Sequence, residues 1–255
     1  MEKAKLGVLL IHGWTGSTTM MKPLVEPIQA LGLPLRIPTL SGHEQLSIDA
    51  FKGVTWQQWV QDGVKALEDL LTEAEKVVIV GHSMGGMIAL VLAADHPDKV
   101  DSVVTAGTPG RMSTPFAPGN RLHWLFKLIW WLVPKVNKGA KNYADPALAA
   151  LDESPDVVPT YTVKQLFDFI KVQDSYLPRV KAPLLILQSR KDSAAVPESA
   201  IMLLEETGTA EDQKCILWFN QTDHGMFLDV EAEQVISSVV DYLSERLSIQ
   251  DQSVS

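Results

Sequence analysis

Short apolar runs alternate with longer segments of helical periodicity along most of this chain. Six runs have the length and composition of buried strands: 6–11, 33–38, 77–80, 100–106, 183–188 and 214–219. Their nearly continuous apolar character is typical of a parallel sheet that is covered on both faces. Four segments between or after them have the spacing of helices: 20–31, 54–71, 86–94 and 231–247. The alternation predicts an α/β fold with a mostly parallel sheet of about six strands and helices on both faces.

The segment between residues 110 and 178 interrupts this alternation, because it contains no run that predicts a core strand. Within it, residues 121–133 are apolar almost throughout and include three tryptophans. A run of about 12 residues is too short to cross a bilayer, whereas an insertion of this length within a parallel sheet commonly covers a binding site. We therefore expect one domain over residues 1–255, with residues 111–178 inserted as a small helical cap over an apolar pocket. The alternative is that the apolar segment only packs against the domain.

Composition and charge exclude several classes of function. The net charge is −9 and no cluster of Lys and Arg offsets it, which excludes nucleic acid as a partner. The single cysteine, Cys215, excludes an internal disulfide, and its apolar neighbours predict a buried strand position. The apolar run near the N-terminus ends at His12-Gly13 without a cleavage site, so we interpret it as a strand rather than a signal peptide. A cytoplasmic location is expected, the oligomeric state is open, and residues 249–255 are expected to fray.

The stretch VVIVGHSMGGMIA, residues 77–89, is the strongest chemical signal in the sequence. A β-favouring run leads into Gly81-His82-Ser83-Met84-Gly85, and an apolar helix follows, which is the context of a nucleophile elbow. Gly81 and Gly85 stand where a Cβ atom would clash in so sharp a turn. Ser83 is therefore expected to have a strained backbone and an exposed Oγ. The alternative is a glycine-rich turn with a solvent-facing serine.

Two further residues follow predicted strands in the positions that a nucleophilic serine requires. Ligands of open parallel sheets bind outside the carboxyl ends of the strands, and Asp192 and His224 follow the last two predicted strands. A serine nucleophile needs a base to take its proton and an acid to orient that base. We assign His224 as the base and Asp192 as the acid for Ser83. Asp223 is the rival acid, but its place next to the histidine makes the geometry awkward and favours a role in shaping the turn.

Other residues near the predicted strand ends have supporting roles. Acyl transfer requires two backbone donors for the oxyanion, and these are expected from Met84, after the nucleophile, and from Trp14, in the loop after the first strand. The alternative for the Trp14 side chain is simple packing. His12 is expected to brace that loop, and His43 to have a small supporting role. His82 lies inside the elbow with its side chain directed away from the serine.

These motifs identify a family resemblance that extends over nearly the whole chain outside the cap. LLIHGWTGS, PTLSGHE, IVGHSMGG, LLILQSRKDSAAVP and the late DHG resemble small bacterial carboxylesterases and monoacylglycerol lipases of the α/β-hydrolase fold. The resemblance implies that Ser83, Asp192 and His224 form a catalytic triad, with the Trp14 and Met84 amides as the oxyanion hole. It also places a small cap after the sixth strand of the full fold. The chain starts almost at the strand that ends in His-Gly, so six strands are expected rather than eight.

The sequence therefore predicts a serine hydrolase that cleaves carboxylic esters with apolar acyl groups, such as monoacylglycerols or medium- and long-chain esters. No metal or organic cofactor is implied. The partner is a small-molecule ester, and the tryptophan-rich cap is expected to make transient contact with lipid surfaces. A thioesterase, a carbon–carbon bond hydrolase or a peptidase on the same triad is the first alternative, because this fold hosts many chemistries. A lipid-binding protein without catalysis is the second.

Overall fold

A parallel sheet forms the centre of the molecule. The computed structural model describes residues 3–44, 47–150 and 152–252. Its strands there are β1 (Ala4–Ile11), β2 (Leu35–Arg36), β3 (Ala74–His82), β4 (Val100–Ala106), β5 (Lys135–Asn137), β6 (Val157–Pro159), β7 (Leu184–Ser189) and β8 (Lys214–Phe219). Six of them form one sheet in the order β2-β1-β3-β4-β7-β8, and each neighbouring pair is parallel. The predicted six-stranded parallel sheet is confirmed.

Helices cover both faces of this sheet. The α-helices are α1 (Val25–Ala30), α2 (Trp56–Leu70), α3 (Met84–Asp95), α4 (His123–Ile129), α5 (Pro146–Ala149), α6 (Thr160–Gln173), α7 (Glu198–Glu206) and α8 (Ala232–Gln252). Successive strand side chains point to opposite faces, so Leu9 belongs to a core that includes side chains of α2, α3, α6 and α7, whereas Leu10 belongs to a second core that includes side chains of α1 and α8. Because α3 is buried from Met84 to Ala94, it forms the centre of the first of these two cores.

The strand register brings the candidate residues together at the carboxyl ends of the strands. Ile11 of β1 pairs with Gly81 of β3, and His82 pairs with Ala106 of β4. Because all six strands run in the same direction, the loops that follow β1, β3, β4, β7 and β8 leave the sheet at this end. The fold therefore assembles distant parts of the sequence around the turn between β3 and α3.

Between β4 and β7 the chain leaves the sheet and forms α4, β5, α5, β6 and α6. Strands β5 and β6 pair antiparallel as a separate ribbon that the hydrophobic pattern did not predict. Helix α6 buries Leu166, Phe169 and Ile170 against the same core as α3, so this part of the segment is anchored. Helix α4 is short and leaves Trp124 exposed. In the described part of the chain, no helix is both long and apolar enough to cross a bilayer.

Several local predictions differ from the structure. The helix predicted at 20–31 is a 3₁₀ helix (Thr18–Leu24) followed by the short α1, and Pro23 lies inside the 3₁₀ segment. The strand predicted at 33–38 is paired only over Leu35–Arg36. Cys215 is exposed rather than buried, because β8 is one of the two edge strands of the sheet. Helix α8 continues to Gln252, so the expected fraying is wrong for 249–252, and residues 253–255 lie outside the described part.

Candidate active site

Ser83 occupies a strained turn between β3 and α3. Its backbone has φ 52° and ψ −120°, in the left-handed half of φ space that residues with a Cβ rarely adopt. The predicted strain is confirmed. A Cβ atom on Gly81 would lie 2.3 Å from the carbonyl oxygen of Gly85, and one on Gly85 would lie 2.1 Å from the carbonyl oxygen of Ile11. Glycine is therefore required on both sides of the serine, as predicted.

Three side chains from three loops form one hydrogen-bonded chain. His224 Nε2 lies 3.0 Å from Ser83 Oγ, and His224 Nδ1 lies 2.9 Å from Asp192 Oδ2 and 3.0 Å from Oδ1. Since the carboxylate can only accept, Nδ1 carries the proton and Nε2 faces the serine as an acceptor. The structure thus brings together the three residues that were predicted as nucleophile, base and acid. This arrangement can remove the proton from Ser83 as its oxygen attacks a carbonyl carbon.

The Asp192 carboxylate is held by donors from its own loop and from β7. Its Oδ1 accepts hydrogen bonds from the backbone N–H groups of Ala194 and Ala195, at 2.9 and 2.8 Å. Gln188 donates from Nε2 to Oδ2 at 3.2 Å. By contrast, the Asp223 carboxylate accepts from the backbone N–H of Ser193 and of His224, both at 2.7 Å. Asp223 shapes the turn, as predicted, and Asp192 faces the imidazole.

Opposing effects set the pKa of His224. Burial lowers it, but the charge of Asp192 and its hydrogen bond to Nδ1 raise it, and Asp223 adds a smaller rise, so the net pKa lies above the ordinary histidine value.

The backbone of β4 passes close to the Asp192 and His224 side chains. Gly107, at the end of β4, has φ +55°, and a Cβ there would lie 3.0 Å from Asp192 Oδ2 and 3.2 Å from His224 Nδ1. The sequence pattern did not reveal this glycine as part of the site.

The loop after β1 passes directly beside the serine. A Cβ atom on Gly13 would lie 3.1 Å from the Cβ of Ser83, so Trp14 is brought next to the elbow. Met84 is the first residue of α3, where a backbone N–H has no partner inside the helix. The two predicted oxyanion donors therefore belong to adjoining segments beside the serine. The Trp14 indole donates from Nε1 to Thr162 Oγ1 on α6 at 3.1 Å.

Two neutral histidines brace the loop that contains Trp14. His12 Nδ1 donates to the carbonyl oxygen of Gly13 at 2.9 Å, and its Nε2 accepts from the Leu40 N–H at 3.3 Å. His43 Nε2 accepts from the Thr15 N–H at 3.0 Å. Burial lowers the pKa of His12 to about 3, with help from His43, and lowers that of His43 to about 4. Neutral rings can accept from backbone N–H groups, which accounts for both contacts.

His82 contacts the loop that contains His224. Its Nε2 donates to the backbone carbonyl oxygen of His224 at 2.8 Å, and the two ring centroids are 5.0 Å apart. Burial, and then the charge of His224, lower the pKa of His82 to about 4, so this ring is neutral near pH 7. The sequence placed His82 away from the serine but did not reveal its contact with His224.

A cavity of about 520 Å³ opens onto Ser83 and His224. One side is apolar and is built mainly by α4 and α6: Phe126, Ile129, Trp130, Val133, Leu166 and Phe167. The other side is polar and comes from the segment around β5 and the loop before β6: Lys138, Asn142, Tyr143, Asp152 and Ser154. The volume is within the range of small-molecule sites. The sequence predicted the apolar side from its tryptophans, whereas the polar side had no recognisable pattern.

Known proteins with similar sequences include lipases and esterases. Residues 2–231 match the family model of serine aminopeptidase S33 (Hydrolase_4). The chain is 25% identical over 247 residues to the thermostable monoacylglycerol lipase of Bacillus sp. (strain H-257), which covers 96% of this chain and 92% of that protein. It is 23% identical over 242 residues to a carboxylesterase of Bacillus subtilis (strain 168), covering 93% and 92%.

Solved structures share the fold over the same length. The chain superposes on a structure reported with LipS and LipT, two metagenome-derived lipolytic enzymes, with a TM-score of 0.82 and 24% identity, covering 95% of both chains. It superposes on the monoacylglycerol lipase of Paleococcus ferrophilus with a TM-score of 0.77 and 21% identity, covering 96% and 98%. These likenesses show an α/β-hydrolase fold and confirm the resemblance found in the sequence.

Proposed function

The chain belongs to the serine aminopeptidase S33 (Hydrolase_4) family, and we propose that it cleaves carboxylic esters with apolar acyl chains. One observation carries this proposal. The hydrogen-bonded chain from Asp192 through His224 to Ser83 ends in a cavity that is lined by apolar side chains of α4, the turn after it and α6. Relatives named as monoacylglycerol lipase and carboxylesterase support the same substrate class.

Each proposed step uses a group whose position supports it. His224 takes the proton of Ser83 while Oγ attacks the ester carbonyl, and the Trp14 and Met84 N–H groups hold the oxyanion. His224 then protonates the leaving alcohol, which yields an acyl-enzyme on Ser83. A water molecule, deprotonated by the same imidazole, attacks that ester and releases the acid. Asp192 holds the imidazole in the tautomer that each step requires.

The substrate class can be tested by the dependence of hydrolysis on acyl-chain length. Nitrophenyl esters from acetyl to palmitoyl, with a monoacylglycerol alongside, would be assayed against Ser83→Ala as the blank. We expect a maximum of kcat/KM at medium or long chains, because the apolar side of the cavity can bury more methylene groups, each worth about 0.8 kcal/mol. A maximum at acetyl would contradict the apolar acyl site. Activity only on acyl thioesters or carbon–carbon substrates would favour those alternatives.

The segment 111–178 is proposed to act as a cap on a single domain of residues 1–255. Helix α4 and the turn after it line the cavity with Phe126, Ile129 and Trp130, while Trp124 and Trp131 in the same stretch are 61% and 66% exposed. Large apolar side chains that remain exposed on a monomer commonly mark an interaction surface. We propose transient contact of this surface with lipid, where amphipathic aromatic rings are favoured.

Lipid contact can be tested by co-sedimentation with phosphatidylcholine vesicles. The double variant Trp124→Ser/Trp131→Ser should bind several-fold less than the native chain, because it removes two large exposed rings. The matched control is Ile201→Ser/Val230→Ser, which removes two exposed apolar side chains from α7 and from the loop before α8. Equal sedimentation of both variants and the native chain would exclude this surface as the contact.

A further inference from the structure

Lys138 makes a direct contact between the inserted segment and the loop that contains Trp14. It follows β5, and its Nζ donates to Thr15 Oγ1 at 2.7 Å and to Ser154 Oγ at 3.2 Å. The ammonium group also lies 5.9 Å from the centroid of the Trp14 ring. Lys138 and Thr15 are 123 residues apart in the sequence. The side chain lines the cavity and thereby connects the polar side of the cavity to the loop beside Ser83.

The residue that Lys138 contacts has a strained backbone. Thr15 has φ +59°, a conformation that costs a β-branched residue on the order of 1–3 kcal/mol and persists only when neighbouring contacts impose it. Thr15 is buried. Its N–H donates to His43, and its hydroxyl accepts from Lys138. The preceding residue, Trp14, is held at its indole by Thr162 of α6.

Three contacts thus restrain the loop that contains Trp14 and Thr15, and they come from His43, Lys138 and Thr162. The last two belong to the inserted segment 111–178. Burial lowers the pKa of Lys138 to about 8, while Asp152 and Asp156 limit the fall. A lysine side chain retains N–H donors whether or not it is charged, so the contact with Thr15 does not depend on this equilibrium. The Thr15 hydroxyl therefore accepts a hydrogen bond from Lys138 of the inserted segment in either protonation state of the lysine.

We propose that Lys138 is a positioning residue that holds the Trp14–Thr15 loop in the geometry required to bind the oxyanion. It acts through the Thr15 hydroxyl, and the oxyanion hole is complete only when the ribbon of β5 and β6 is seated. This inference rests on the proposed function, because it assigns the Trp14 N–H to the oxyanion. Catalysis then depends on the contact between Lys138 and Thr15 as well as on the triad and on the apolar side chains that line the cavity.

The test compares Lys138→Met, Thr15→Val and the double variant. Methionine preserves the apolar stem of lysine without its donor, and valine preserves the β-branched shape of threonine without its hydroxyl. Lys135→Met is the matched control, because Lys135 lies on β5 and is exposed. The readouts are kcat and KM for a butyryl ester and the rate constant for labelling of Ser83 by a fluorophosphonate. The phosphonyl oxygen of this probe occupies the oxyanion position.

We expect each single variant to lower both kcat and the labelling rate roughly 10-fold, because small displacements of a catalytic group carry losses of this order. KM should stay close to the native value. The double variant should be no slower than either single variant, because both changes remove one contact. Lys135→Met should match the native chain. A 100-fold loss in the double variant, an unchanged Lys138→Met or an equal loss in Lys135→Met would overturn the proposal.

Thermal unfolding separates positioning from stability, since each variant should retain a midpoint close to that of the native chain. If Lys138→Met does not fold, Thr15→Val alone decides, because it removes the same contact from the other side. The two proposals also fail in different ways. Labelling of Ser83 without ester hydrolysis would reject the ester substrate and still measure the role of Lys138. Native ester hydrolysis with unaffected variants would reject only the role of Lys138.

Discussion

Three buried histidines should make this protein unstable in mild acid. Burial lowers the pKa of His12 to about 3 and those of His43 and His82 to about 4. In an unfolded chain a histidine has a pKa of about 6.5. As the pH falls through this value, the unfolded chain binds protons at positions where the folded chain does not. The stability that these residues contribute is therefore complete above about pH 6.5 and is lost as the pH falls towards 4.

The magnitude follows from the number of protons. Each group that is protonated only in the unfolded chain changes the free energy of unfolding by about 1.4 kcal/mol per pH unit. Three such groups give about 4 kcal/mol per unit near pH 5, which is large against a typical stability of about 5–15 kcal/mol. His224 has a raised pKa, so it is protonated in both states in this range and does not alter the slope.

The assay is urea unfolding at pH steps between 7.5 and 4.5, with the free energy extrapolated to zero urea at each step. The comparison is His43→Gln, whose amide oxygen can still accept from the Thr15 N–H but does not titrate. The slope should fall by about a third, from about 4.2 to about 2.8 kcal/mol per pH unit, because two titrating groups remain of three. A native stability that is flat between pH 6.5 and 4.5, or an unchanged slope in the variant, would refute the reasoning.

Four further outcomes follow from the site and from the core. Asp192→Asn should lower kcat about 10⁴-fold with little change in KM, because the imidazole loses its tautomer; steady-state kinetics showing less than a tenfold loss would contradict this. Native kcat/KM should rise with pH through a midpoint above about 6.5, because the pKa of His224 is raised and only the neutral ring accepts a proton; a lower midpoint would exclude His224 as the base. Gly107→Ala should reduce activity more than stability, because its Cβ meets both partners of that pair; unchanged kinetics would show that the backbone can yield. Arg246→Met should destabilise the chain by about 3 kcal/mol in urea, because it leaves the buried Asp101 carboxylate without its cation; a loss below about 1 kcal/mol would show that the pair is not needed.

The parts of the fold that the sequence predicted are those in which local patterns and long-range packing agree. The elbow could be recognised because Gly81 and Gly85 are required by contacts within a few residues of Ser83 and by the end of β1. The order in which Ser83, Asp192 and His224 follow their strands then brought them to one edge, because parallel strands end at the same side of a sheet.

The parts that the sequence did not predict depend on position in the assembled fold. Cys215 has apolar neighbours, but no periodicity distinguishes an edge strand from a central one, and β8 is at the edge. Lys138 has no motif, because its contact with Thr15 exists only after β5 folds over the loop that follows β1. Gly107 is likewise required by Asp192, which is 85 residues further along the chain.

The most direct test of the central claim is to find where an acyl-type probe becomes covalently bound. The native chain would be incubated with a long-chain alkyl fluorophosphonate, digested and analysed by peptide mass spectrometry, with His224→Ala treated in parallel. Our account predicts one adduct per chain, located on Ser83, and labelling that is slower by orders of magnitude without the imidazole. No adduct, an adduct on another residue, or equal labelling of both proteins would contradict the assignment of Ser83 as the nucleophile that His224 activates.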